Sequence, residues 1–123
     1  MSIRTERVAS LIKEEIGSYC SREFNDPAYG FITVTEVRVT ADLRLAKVYF
    51  SVFGKPDVQE RTMAMLEGAR KEIRGFLGSR LSMRFTPDLQ FLQDTTMERV
   101  DRLNRIFNEI HKNDGGTDGT SGA

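Results

Sequence analysis

The chain has 123 residues, 39% hydrophobic and 29% charged, a balance that suits one packed domain and excludes a wholly disordered, collagen-like or coiled-coil chain. Eighteen Lys and Arg face eighteen Asp and Glu for a formal charge of zero, so no protein-wide field marks it for nucleic acid or membrane. One cysteine (Cys20) and one histidine (His111) exclude an internal disulfide and fall short of a zinc ligand set. In chain order, residues 4–23 place Val8, Leu11, Ile12, Ile16 and Tyr19 at helical spacing, which predicts an amphipathic helix. Asn25-Asp26-Pro27 ends it, and Ala28-Tyr29-Gly30 continues the loop. Residues 31–40 are rich in β-branched types, with an alternation through Ile32 and Val34 that changes phase to Val37 and Val39. That shift predicts a bulge near Thr35 and Glu36, or a strand covered on both faces. A second strand over 43–53 keeps Ala46, Val48, Phe50 and Val52 on one parity and pairs with the first as an antiparallel hairpin turning near Ala41 and Asp42.

Gly54-Lys55-Pro56-Asp57 ends that strand and opens a helix. Its apolar stripe runs through Thr62, Leu66, Ala69, Ile73, Phe76 and Leu77 to Leu81. Gly68, Gly75 and Gly78 interrupt the stripe, each costing about 1 kcal/mol against alanine, which predicts a bend or break near Gly68 and Ala69. Phe85, Leu89 and Phe91 read as a third strand, with Pro87 at its edge or start. Thr95 and Glu98 have capping-box spacing ahead of a last helix with Met97, Val100, Leu103, Ile106, Phe107 and Ile110 on its apolar face. The Gly, Thr, Ser and Asp tail over 113–123 has no apolar anchor and is expected to be disordered. The order helix, strand, strand, bent helix, strand, helix predicts an α+β fold: a three-stranded sheet with helices on one face.

The sequence carries no catalytic constellation: no glycine-rich phosphate loop, no Gly-x-Ser-x-Gly, no His or Cys cluster. Carboxylates sit at polar helix positions beside Arg or Lys, as Asp101 does with Arg105, and read as solvated ion pairs. Gly75-Phe76-Leu77-Gly78 spells the GxxG by which KH domains approach phosphates, but Phe76 and Leu77 are in phase with the core stripe, so the match is read as coincidence. Charge is distributed unevenly. Between residues 61 and 84, Arg61, Arg70, Lys71, Arg74, Arg80 and Arg84 oppose only Glu67 and Glu72, a net +4. Such a local excess can hold phosphate on a neutral protein, because charges beyond about 10 Å are screened. Among the aromatics, only Tyr29, in its loop, is placed where it could stack on a base, and a ring packed on the core is the favoured reading of it.

Four segments resemble a known family. They are the opening Arg4-x-x-Arg7-Val8 helix, the run from Asp26-Pro27-Ala28-Tyr29-Gly30 to Val37, the run from Asp42-Leu43-Arg44 to Ser51, and Thr86-Pro87-Asp88-Leu89-Gln90-Phe91 with Asp94. In this order and spacing they look like bacterial ribosome-binding factor A. The resemblance implies a type II KH-like domain over residues 1–112, with 113–123 as the tail. It also implies association with free small (30S) ribosomal subunits, assistance to 16S rRNA maturation and processing, importance in cold adaptation, and no enzyme activity. The family's kink between two helices is marked by Ala-x-Gly; here the position reads Ala69-Arg70-Lys71, and Gly68 is the neighbouring source of backbone freedom.

The expected function is therefore a non-catalytic, RNA-binding assembly factor. Arg70, Lys71, Arg74, Arg80 and Arg84 would neutralise phosphates, aided by Arg4 and Arg7, with Gly68 and Ala69 forming the kink. The expected partners are the small subunit and its 16S rRNA, with no cofactor, metal, small-molecule substrate or membrane, and the protein is expected to be a monomer. No stretch reaches the roughly 18 apolar residues of a membrane span and residues 1–7 lack the apolar block of a signal peptide, so a cytoplasmic location is expected. The competing readings are an adaptor that docks on a ribosomal protein or assembly factor through residues 97–110, and a small nucleic-acid enzyme with no nominated nucleophile.

Overall fold

The computed structural model describes residues 3–95. Helix α1 (Ile3–Glu23) buries Ile12, Ile16, Tyr19 and Cys20, the single stripe that its 3.6-residue period brings to one side. Asp26 then stops the chain: its carboxylate accepts from the Ala28 N–H at 2.9 Å and opens one 3-10 turn, Pro27–Tyr29. Strands β1 (Phe31–Val39) and β2 (Leu45–Phe53) form the antiparallel hairpin, and β3 (Asp88–Gln93) lies parallel to β2 in a sheet of order β1-β2-β3. Between β2 and β3 run α2 (Pro56–Gly68) and α3 (Arg70–Arg80).

The predicted phase change is a bulge. Register shifts between Val34 and Glu36, so Val34 and then Val37 and Val39 all face the core. Thr35, the extra residue, sends its hydroxyl to the Asp94 carboxylate at 2.7 Å. Val34, Val37, Val39, Ala46, Val48, Phe50, Leu89 and Phe91 from the sheet meet Ile12 and Ile16 of α1, Leu66 of α2, and Ile73 and Leu77 of α3 in one core. Each such side chain, fully buried, contributes roughly 1.5–3 kcal/mol of burial.

Two boundaries differ from the sequence expectation, while the helical break falls where expected, at Gly68 and Ala69. The hairpin turn extends to Arg44: the Asp42 carboxylate accepts from the Thr40 hydroxyl and the Arg44 N–H, and Leu43 takes a left-handed φ of 61°, so β2 begins at Leu45 rather than Leu43. The third strand begins at Asp88, whose N–H makes a 2.8 Å bond to the Arg44 carbonyl. Pro87, lacking an N–H, cannot join that ladder, and Phe85 is left in the loop. The long helical stripe divides at Ala69, with φ −94° and ψ 6°. The Ala69 N–H still donates to the Met65 and Leu66 carbonyls, and its own carbonyl accepts from Ile73 N–H. The chain therefore turns with both backbone groups of Ala69 bonded and without a left-handed residue, which is why arginine and lysine follow Ala69 without strain. The helix expected over 97–110 and the tail over 113–123 lie outside the described residues.

Candidate nucleic-acid interface

Three segments converge at the end of the sheet where β1 finishes and β2 and β3 begin. The first turns of α1 bring Arg4 and Arg7, the hairpin turn brings Asp42 and Arg44, and the connection from α3 to β3 brings Arg84 and Phe85. Two adjoining concavities result, sharing Arg4, Leu43, Ser82 and Met83. Their joint lining holds six arginines (Arg4, Arg7, Arg44, Arg74, Arg80 and Arg84) against two aspartates, Asp42 and Asp88. The Thr40 hydroxyl and then the Arg44 N–H hold the Asp42 carboxyl below its ordinary range, so it stays ionised beside Arg44.

The structure thus brings five of the seven predicted cations into one groove and leaves two outside it. Arg70 is engaged elsewhere, paired with Glu67 at 2.7 Å and reaching the Leu89 carbonyl of β3. Lys71 is exposed on the side of α3 away from Ile73 and Leu77 and lines neither concavity. Within the groove the arginines differ in freedom. Arg74 donates to the Thr86 and Pro87 carbonyls at 2.7 and 3.1 Å and approaches Asp88 at 3.4 Å, so it holds the loop that carries Arg84. Arg80 approaches Glu15 of α1 at 3.6 Å and lies 5.4 Å from the Phe76 ring centroid. Arg4, Arg7, Arg44 and Arg84 make no side-chain hydrogen bond or ion pair with another described residue. Arg44 escaped the sequence reading because it lies in another segment from the 61–84 excess; only the β2–β3 pairing brings it beside Arg74 and Arg84.

GxxG belongs to the interior of α3, with Leu77 fully buried and Phe76 half-buried 4.6 Å from the Tyr19 ring. Tyr29 is half-buried, its carbonyl accepting from the buried Thr62 hydroxyl at 2.8 Å. Among the described residues the exposed rings are instead Phe31, Phe53 and Phe85. Phe31 and Phe53 face each other across the hairpin at the end of the sheet opposite the groove, whereas Phe85 lines it. On the outer sheet face Arg38 pairs with Glu36 and lies over Tyr49. Among the described residues no group of three or more His, Cys, Asp or Glu is gathered in a way that could hold a metal ion, and no helix is long and apolar enough to cross a membrane.

Residues 4–107 match the family model of ribosome-binding factor A. The ribosome-binding factor A of Chlorobium phaeobacteroides is 44% identical over 115 residues, spanning 91% of this chain and 97% of that protein. That of Staphylococcus carnosus is 39% identical over 112 residues, again 91% and 97%. The crystal structure of ribosome-binding factor A from Thermus thermophilus superposes with a TM-score of 0.63 at 25% identity, covering 72% of this chain and 94% of that one. A homology model of the T. thermophilus factor, as fitted into the cryo-EM map of a complex of 30S with that factor, gives 0.60 at 26% identity, with 70% and 90% covered.

Proposed function

The chain belongs to the ribosome-binding factor A family, and from that premise we propose that it binds the small ribosomal subunit through 16S rRNA and assists maturation and processing of that RNA without catalysing a covalent step. The observation that supports this most is the groove itself: six arginines from three segments against two aspartates, a local positive field on a neutral protein. A polyanion neutralises that field and releases counterions. Binding one RNA conformer better than another then shifts the RNA's folding equilibrium by the difference in affinity, which suffices for an assembly factor acting in the cytoplasm as a monomer without a cofactor. Arg70 and Lys71 would extend the contact along α3 rather than form its centre.

The test uses three arginines that make no side-chain hydrogen bond or ion pair with another described residue. Replacing Arg4, Arg44 and Arg84 together by alanine is expected to weaken co-sedimentation with purified small subunits while the thermal unfolding midpoint stays within a few degrees of the parent. Replacing Arg70, Lys71 and Arg74 would confound the reading, since Arg74 secures the α3–β3 connection. Undiminished co-sedimentation of the triple variant would remove the groove from the interface, and binding that survives ribonuclease treatment would point to a ribosomal protein as the docking partner.

A further inference from the structure

Residues 81–87 connect α3 to β3, and the connection is fastened at both ends. Leu81 and Pro87 are buried, the Thr86 and Pro87 carbonyls are held by Arg74, and Thr86 packs so closely on α3 that a Cβ at Gly78 would meet its hydroxyl at 2.8 Å. Phe85, next to these fixed points, is 69% exposed. Leaving a phenyl ring in water forgoes the favourable burial of a large apolar side chain, and here the backbone on its C-terminal side is fastened in the arrangement that leaves it there. The ring lines the same concavity as Arg4, Arg44 and Arg74, and the Arg84 guanidinium lies 5.7 Å from its centroid. Phe31 and Phe53, the other exposed rings among the described residues, have no such arginine set beside them, because they occupy the opposite end of the sheet.

A π face carried beside an anchored backbone, at the rim of a groove with excess positive charge, matches two parts of one ligand: a base that has left its stack, and the phosphates on either side of it. Duplex RNA offers the phosphates without the base face, since its bases are stacked on one another. We propose that Phe85 is a stacking platform for one unpaired base, with the flanking phosphates held by Arg4, Arg44 and Arg84, so that the groove takes single-stranded RNA in preference to duplex. This rests on the reading of the groove as an RNA site and adds the strandedness and the residue that senses it.

The experiment titrates the full chain and its Phe85→Ala, Phe85→Leu and Phe85→Trp variants with a single-stranded oligoribonucleotide of about ten nucleotides, within the usual site size, and with its blunt duplex at the same salt. Alanine and leucine are expected to weaken single-strand binding roughly 5- to 100-fold, the range for one base–aromatic stack, and to leave duplex binding unchanged. Leucine keeps an apolar side chain and loses only the flat face. Tryptophan is expected to retain affinity and, as the only tryptophan in the chain, to have its fluorescence quenched by the single strand alone. Single-strand affinity unaltered by Phe85→Ala, or equal losses for single strand and duplex, would overturn the stacking proposal while the arginine groove stood. Failure of the parent chain to bind either RNA would overturn both.

Discussion

Cys20 and Tyr19 are buried neighbours on α1 whose protons are held for different reasons. Cys20 is 3% exposed, and burial pushes its thiol up to about 12, so the reactive thiolate is scarce at neutral pH. Iodoacetamide at pH 8 is expected to leave native Cys20 unmodified and to alkylate it fully in denaturant; rapid labelling of the folded protein, followed by mass spectrometry, would contradict this. Tyr19 donates to the Glu72 carboxylate of α3, and that bond, followed by burial, raises its phenol to about 12. Both groups bind their protons more tightly when folded. The stability they add is therefore complete below the unfolded values near 9 and 10 and is lost as pH climbs towards 12. Denaturant midpoints are expected to fall between pH 9 and 12, and Tyr19→Phe to flatten the portion above pH 10.

At the scale of elements, hydrophobic spacing determines which face of each helix or strand is buried, and close approach determines which residues tolerate a side chain. Gly30 and Gly75 show the contrast. Gly30, between the 3-10 turn and β1, has φ 65° and ψ −161°, a region essentially confined to glycine, and a Cβ would lie 2.4 Å from the Phe53 carbonyl oxygen. Gly30→Ala is expected to cost at least about 1–3 kcal/mol. Gly75 lies inside α3 with nothing within 4 Å of an added Cβ, so Gly75→Ala is expected to stabilise by about 1 kcal/mol. Urea unfolding measures both. Because Gly75 belongs to a helix rather than to a phosphate-clamping loop, its replacement should also leave small-subunit binding unchanged.

Over the whole molecule, equal numbers of acidic and basic residues conceal an uneven distribution. Four arginines of the groove make no hydrogen bond or ion pair with a described residue, while Arg74 and Arg80 are partly neutralised by Asp88 and Glu15. With about −0.7 per phosphate on a single strand, four to five contacts predict a slope of roughly −3 to −3.5 for log K against log salt concentration. The variant lacking Arg4, Arg44 and Arg84 is expected to lose about 2 from that slope. A slope unaffected by the triple substitution would place the phosphate contacts elsewhere.

The amino-acid order alone determined the elements of the described region and their faces. The stripe Ile12, Ile16, Tyr19, the parity of Ala46 to Val52, the phase change at Thr35 and the break at Gly68 and Ala69 are short-range patterns, written in spacings of two to four residues. The make-up of the groove was decided by tertiary structure. Parallel pairing of β2 with β3 set Arg44 beside Asp88, Arg74 was diverted to carbonyls that no spacing reveals, and Pro87 excluded Phe85 from the ladder and left its ring exposed. Those outcomes depend on which residues meet across long stretches of chain, and a local pattern holds no information about that.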